Sequence, residues 1–417
     1  MAEAEDRPGV RHPVVWTVLY LPFGAMSGFV TVALTFLATK NGLSITEASF
    51  LNGAQYISQW LKWTWAPIID VTLSPKRWYC IGTVASAAGV FAMSAIRMSE
   101  DTLPMLLAVI AIASLLNSIV GMAIEAIMAS CTRASEQGRT SAWFQAGNLG
   151  GAGLGGGLGL TLLEALPSTW MAGAILAALF VACSVGLLYV PSVGGHRVAG
   201  GPVAAVRGVF RDLRAMARTK GGLLSGLLCF LPIGTGAAQG VLTQATVAAR
   251  WHATSSHVAW VQGYTAGAVT AAGCFAGGWL CTRLAPRTAY AFVGVLLAVI
   301  ATGMAFAPKT VTGYVVWNLV YAGGVGLAYA AFTAVVLNAI GVRSAATKYN
   351  LFASLSNFPI WWLGLVLGRV ADTSGASAML LCEAILGVLA VLVFFFANRM
   401  VSRTALPDVL VEEPAAG

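Results

Sequence analysis

Glu125 stands within LLAVIAIASLLNSIVGMAIEAIMAS (106–130), a stretch with no other charge. A carboxylate in apolar surroundings can load and release a proton near neutral pH, which is what a proton-coupling site requires. Its other use is a permanent ion pair. Asn117 and Gly121 share its helical face. Lys62 is the cationic counterpart, because a lysine inside an apolar segment faces a bundle interior or a water-filled cavity, or snorkels to the interface. Gln55, Gln59 and Lys62 recur at i, i+4 and i+7 and so share a face. An anionic solute group or Glu125 would complement Lys62; Asp70, about 12 Å further along the helix, is too far for a direct pair.

Polar stripes supply milder chemistry. Asn350, Ser354, Asn357 and Trp361 fall at i, i+4, i+7 and i+11, and Tyr321, Tyr329, Gln239 and Thr243 offer similar groups on other segments. Amides, hydroxyls and aromatic faces recognise a sugar or peptide by hydrogen bonding and ring stacking. The same groups also serve as hydrogen-bond glue between helices. Gln145 and Asn148 lie off the stripe Gly147, Gly151, Gly155, Gly159, whose four-residue spacing makes a surface for close helix approach, and so they can reach a cavity.

Covalent chemistry finds no support. The four histidines and seven cysteines form no metal, redox or triad spacing, and no phosphate loop or nucleophile elbow exists, so neither an enzyme, a metal site nor a cofactor is expected.

The elements that must position these residues are membrane spans. Of 417 residues, 58% are hydrophobic and only 10% charged, against roughly a quarter charged in a soluble domain. Segments of about 20 apolar residues recur at 14–39, 46–68, 78–97, 103–130, 141–163, 170–190, 222–249, 256–281, 287–307, 311–339, 347–368 and 377–398. Alternating the gaps between two sides puts eighteen of the 24 Lys and Arg with the termini and five opposite (Lys40, Arg97, Arg250, Lys309, Arg369), while Lys62 lies in a span. Both termini are therefore expected in the cytoplasm. The net charge of +8 reads as a topology signal, with the bilayer, and no nucleic acid, as partner. A monomer is expected.

The expected organisation is a six-helix bundle over 1–190, a cytoplasmic linker over 191–221, and a second bundle with a short tail over 222–417. Arg207, Arg211, Arg214 and Arg218 mark one face of the linker, with Val206, Phe210, Leu213 and Ala217 on the other, so it reads either as a surface-lying amphipathic helix or as a solvated connection. LPFGAMSGFVTVALTFLATKNGLSITEASFLNG from Leu21 aligns without gaps on LPIGTGAAQGVLTQATVAARWHATSSHVAWVQG from Leu231, an offset of 210. Duplicated six-helix halves around a midplane site are the plan of a major facilitator transporter working by alternating access.

GGWLCTRLAPR (277–287) resembles that superfamily's loop pattern, with Arg283 and Arg287, and APIIDVTLSPKR (66–77) resembles its first-half twin. KWTWAPIID, GRTSAWFQAGNLGGAGLGGGLG and ATKYNLFASLSN resemble the muropeptide permease (AmpG-like) branch, itself similar to acetyl-coenzyme A transporters. The resemblance implies a twelve-helix secondary transporter of the bacterial inner membrane, coupled to protons, that imports sugar-peptide fragments of peptidoglycan. It also implies a gate formed by Asp70, Lys76 and Arg77 with Arg283 and Arg287. Thr282 replaces the second loop's usual Asp and Ala66 the first loop's Gly, so an acidic latch is expected only in the first half. A drug or lipid-like exporter of the same fold is the other reading.

Overall fold

The computed structural model describes residues 10, 12–62, 72–131, 137–191, 207–208, 211, 214–340 and 345–403. Among them the secondary structure is helical throughout, as a lipid environment demands of a backbone that must satisfy its own hydrogen bonds. The spans are α1 (Val14–Lys40), α2 (Ile45–Leu61), α3 (Pro75–Ala95), α4 (Leu103–Cys131), α5 (Gln137–Ala165) and α6 (Thr169–Tyr189) in the first half. In the second half, α7 begins as Lys220–Phe230, α8 runs from Ser255 through a π-helical stretch to Arg283, and α9 (Pro286–Phe306), α10 (Val311–Ile340), α11 (Ala345–Ser374) and α12 (Ala376–Ser402) follow. Eight are individually long and apolar enough to cross a bilayer among the described residues; with α2, α5, α7 and α8 they make the twelve-helix, two-half architecture. The face carrying Val14 and Ser402 is called near, the opposite face far.

The duplication shows in the capping as well as the sequence. At the far end of α2, Ser44 and Glu47 form a capping box, with Ser44 Oγ accepting from Glu47 N at 3.1 Å and Glu47 Oε2 accepting from Ser44 N at 2.8 Å. At the offset of 210, Thr254 and His257 build the same box on α8, where Thr254 N donates to His257 Nδ1 at 3.2 Å. Pro75 and Pro286 open α3 and α9, where a missing N–H costs nothing. A tyrosine from each of those helices then reaches its half's first helix: Tyr79 OH donates to Leu19 O at 2.9 Å and Tyr290 OH to Ile233 O at 2.8 Å.

The halves differ at their first helices. The expected span 222–249 is not one helix: after Phe230 the chain leaves helical geometry and resumes only as Gln239–Leu242 and Ala245–Ala249. Gly234 at φ +62° and Gly236 at φ +65° take the left-handed conformation that other residues avoid. The matching Leu21–Pro22 of α1 stays helical, and a π-helical stretch follows at Phe29–Leu34.

Glycines set the closest approaches. On α5, a methyl at Gly151 would come within 2.6 Å of Leu21 O, and one at Gly155 would overlap the Ala25 carbonyl of α1. Gly28 of α1 returns the contact against Ala152. The opposite face of α5 meets the other half, where a methyl on Gly153 would lie 2.7 Å from Gly263 O of α8. One helix thus offers a close-packing surface on both sides.

Candidate functional site

Near the near face, Glu125 Oε2 accepts a hydrogen bond from Asn350 Nδ2 at 3.1 Å. The bond joins α4 of one half to α11 of the other, and both residues were expected functional positions. Lys62 ends α2 in electrostatic range of Glu125 without a direct ion pair. Lys62 is half-buried. Tyr329 on α10 is 43% exposed, and Tyr56 on α2, half-buried, lies in electrostatic range of it from the opposing half. Gln59, one turn before Lys62, is half-buried. An aromatic group adjoins: Trp60 stacks parallel to Trp361 at 6.3 Å, and Phe358 packs on both Trp60 (5.1 Å) and Phe230 (4.9 Å). Cation, carboxylate, phenols and ring faces therefore converge between the halves, a set suited to an amphiphilic polar solute.

The far face is bridged by hydrogen bonds between halves, several of them made by the part of α7 beyond its break. Thr243 Oγ1 lies 2.9 Å from Thr31 O, to which it donates, and 3.1 Å from Thr35 Oγ1. Gln244 Nε2 donates to Ser49 Oγ at 3.1 Å, and Ala245 N donates to Thr39 Oγ1 at 2.8 Å. Alongside, Thr46 Oγ1 donates to Asp372 Oδ2 at 2.8 Å, joining α2 to α11.

Other expected residues are placed differently. Gln239 donates to Gln262 Oε1 at 3.4 Å, and Gln262 in turn bonds Asn318, so this amide is tied into the second half. Asn148 Nδ2 donates to Gln145 Oε1 at 3.3 Å, the two satisfying each other on α5. Asn357 is half-buried on α11, two turns from Asn350. Of the expected gate, Asp70 lies outside the described residues. Lys76 donates to Val190 O at 2.6 Å and Leu187 O at 3.2 Å, capping the end of α6 within its own half. Arg77 and Arg283 are exposed, Arg283 lying 5.6 Å over the Trp279 ring, and Arg287 is half-buried. In the linker, the arginines at 207, 211, 214 and 218 are exposed; Val206, Phe210 and Leu213 lie outside the described residues.

Sequence reasoning did not single out Glu383, whose carboxylate enters the break in α7. Its place near the start of an apolar span, DTSGASAMLLCEAILGVL, gave the same signal that marked Glu125.

The profile of the Major Facilitator Superfamily matches residues 16–360. No curated protein sequence matches this chain. Among solved structures, the nucleoside transporter NupG is similar at 14% identity and a TM-score of 0.65, covering 94% of this chain and 98% of its own. A POT family transporter in complex with a thioalcohol-conjugated peptide shares 11% identity with a TM-score of 0.68 over 94% of this chain and 96% of its own. The inward-open xylose transporter XylE from E. coli shares 12% identity with a TM-score of 0.65 over 92% and 95%.

Proposed function

The chain belongs to the major facilitator superfamily and is a multi-pass secondary transporter, and from that premise we propose that it is a proton-coupled symporter of an amphiphilic sugar- or peptide-containing solute, such as a muropeptide, across the bacterial inner membrane. The observation that carries the reading is the Glu125–Asn350 hydrogen bond between halves, with Lys62 in range of the same carboxylate. Glu125 is the coupling site. Ionised, it holds Asn350 and balances Lys62; protonated, it loses most of its attraction for both, and the near face is released. Lys62 is then available to an anionic group on the solute.

The solute class rests on what the cavity offers. Tyr56, Tyr329 and Gln59 supply hydrogen bonds, and Trp60, Phe358 and Trp361 supply ring faces for sugar stacking. The eighteen basic residues on the side of the termini support a cytoplasmic near face. The gate proposed for that face draws on Asp70, which lies outside the described residues, with Lys76, Arg77, Arg283 and Arg287. A thermal-shift screen of the purified protein against cell-wall fragments, acyl-coenzyme A species and common drugs tests the class. Stabilisation by muropeptides alone supports it, and stabilisation by drugs alone replaces it with the exporter.

A further inference from the structure

We propose that Glu383 is a second proton-exchange site, which sets the far-face gate by fixing or freeing the break in α7. The argument starts from what the carboxylate holds. Glu383 Oε1 and Oε2 accept from Tyr321 OH of α10 at 2.8 and 2.9 Å, and Oε1 also accepts from Ala238 N at 3.1 Å. Ala238 is the last residue of the irregular segment, immediately before the helix resumes at Gln239. The carboxylate thus fastens the hinge to α10 and α12. Tyr290 holds the other end of the segment through Ile233 O.

The titratable groups in range of Glu383 are Tyr321 from α10 and Cys382 beside it on α12. No ion pair among the described residues reaches it. A carboxylate inside the membrane whose partners are all neutral carries an uncompensated charge, the setting in which membrane carboxylates relay protons. Access is provided by a cavity of about 20 Å³ lined by Thr235, Gly236, Tyr321 and Glu383, large enough for a water molecule.

Protonation converts an acceptor of these donors into a group with a hydroxyl of its own to place. The proton comes from bulk solvent, relayed through water in the cavity that is regenerated in the transfer, and the O–H so formed competes for the space held by Tyr321 OH and Ala238 N–H. The released segment carries Thr243, Gln244 and Ala245, which make the α7 hydrogen bonds to α1 and α2. Loading this site opens the far face, whereas Glu125 acts on the near face. The inference rests on the secondary-transport reading but not on Glu125.

The test uses full-length protein in lipid nanodiscs with its seven cysteines replaced by alanine and spin labels on Asn41→Cys and Arg250→Cys, exposed positions at the far ends of α1 and α7. In this background the inter-label distance lengthens on acidification. Glu383→Gln, which mimics the protonated state, holds the long distance at every pH. Tyr321→Phe keeps the carboxylate but removes its phenol donor, so the transition moves to higher pH. Infrared difference spectra show a protonated-carboxyl band on acidification that Glu383→Gln diminishes. A distance that ignores pH in the labelled background, or an unaltered response in Glu383→Gln, overturns the proposal. Loss of gradient-driven uptake in Glu125→Gln with the far-face response intact bears on the proposed function and leaves this inference standing.

Discussion

Thr243→Val isolates the far-face lock. Valine matches threonine in shape, so the substitution keeps the packing and removes the hydroxyl that lies 2.9 Å from Thr31 O and 3.1 Å from Thr35 Oγ1. Thr35 Oγ1 has Thr31 O as an alternative partner at 2.6 Å, and Thr243 Oγ1 has Gly240 O at 3.0 Å in its own helix, so one to two hydrogen bonds between halves are lost. At roughly 0.5–1.5 kcal/mol net each, the far-closed state loses about 1–2 kcal/mol. Both helices persist when the halves part, so the loss falls on the closed state and shifts its equilibrium with the open one by a factor of about 5–30. The assay is labelling of Tyr56→Cys, a half-buried α2 position in range of Tyr329 of the opposing half, by a membrane-impermeant maleimide added from the far side in oriented proteoliposomes. The labelling rate rises by that factor while the melting temperature stays within a few degrees of the parent. An unchanged rate in a folded protein refutes the assignment of Thr243 to the gate.

Three further outcomes follow from the geometry. Gly155→Leu cannot be accommodated against the Ala25 carbonyl, so α1 and α5 separate and the protein loses about 3 kcal/mol or more, read as a lowered melting temperature in detergent. Lys62→Met removes a cation in electrostatic range of Glu125 and raises KM for an anionic solute about tenfold or more, as expected for a charge-assisted bond of roughly 1.5–3 kcal/mol, while neutral solutes are affected far less. Lys309→Met, in the α9–α10 loop, removes an ammonium 3.9 Å over the Trp251 ring that also caps Met304 O and Ala305 O, and it destabilises the protein by about 1–2 kcal/mol in thermal unfolding.

Much of the architecture was legible because lipid imposes length and apolarity on every span. The α4 range 103–130 and the α10 range 311–339 match Leu103–Cys131 and Val311–Ile340 within two residues. The glycine stripe of α5 was readable as a packing surface, and α1 is what packs on it. Its second face was hidden, because GNLGGAGLGGGLG has glycine at so many positions that no single periodicity excludes another.

The break in α7 was illegible for a different reason. Leu-Pro followed by Gly occurs at Leu21 and Leu231 alike, but α1 stays helical there with α5 packed closely on it, whereas in α7 Glu383 and Tyr290 secure an irregular path. A local sequence cannot report such distant partners. The same limit kept Glu125 and Asn350 apart: each stood out on its own helix, and only the approach of α4 to α11 between halves shows that they meet. Glu383 carried a signal equal to that of Glu125 and could have been found by asking for every carboxylate inside a span.

The central claim is that a proton at Glu125 drives uptake. Proteoliposomes with the near face inward and an imposed inward proton gradient, supplied with a labelled muropeptide, measure this directly. Accumulation above equilibrium in the wild type, collapsing with a protonophore and abolished in Glu125→Gln while solute exchange without a gradient persists, is the result expected. Muropeptide flux that ignores the gradient and is unaffected by Glu125→Gln contradicts it.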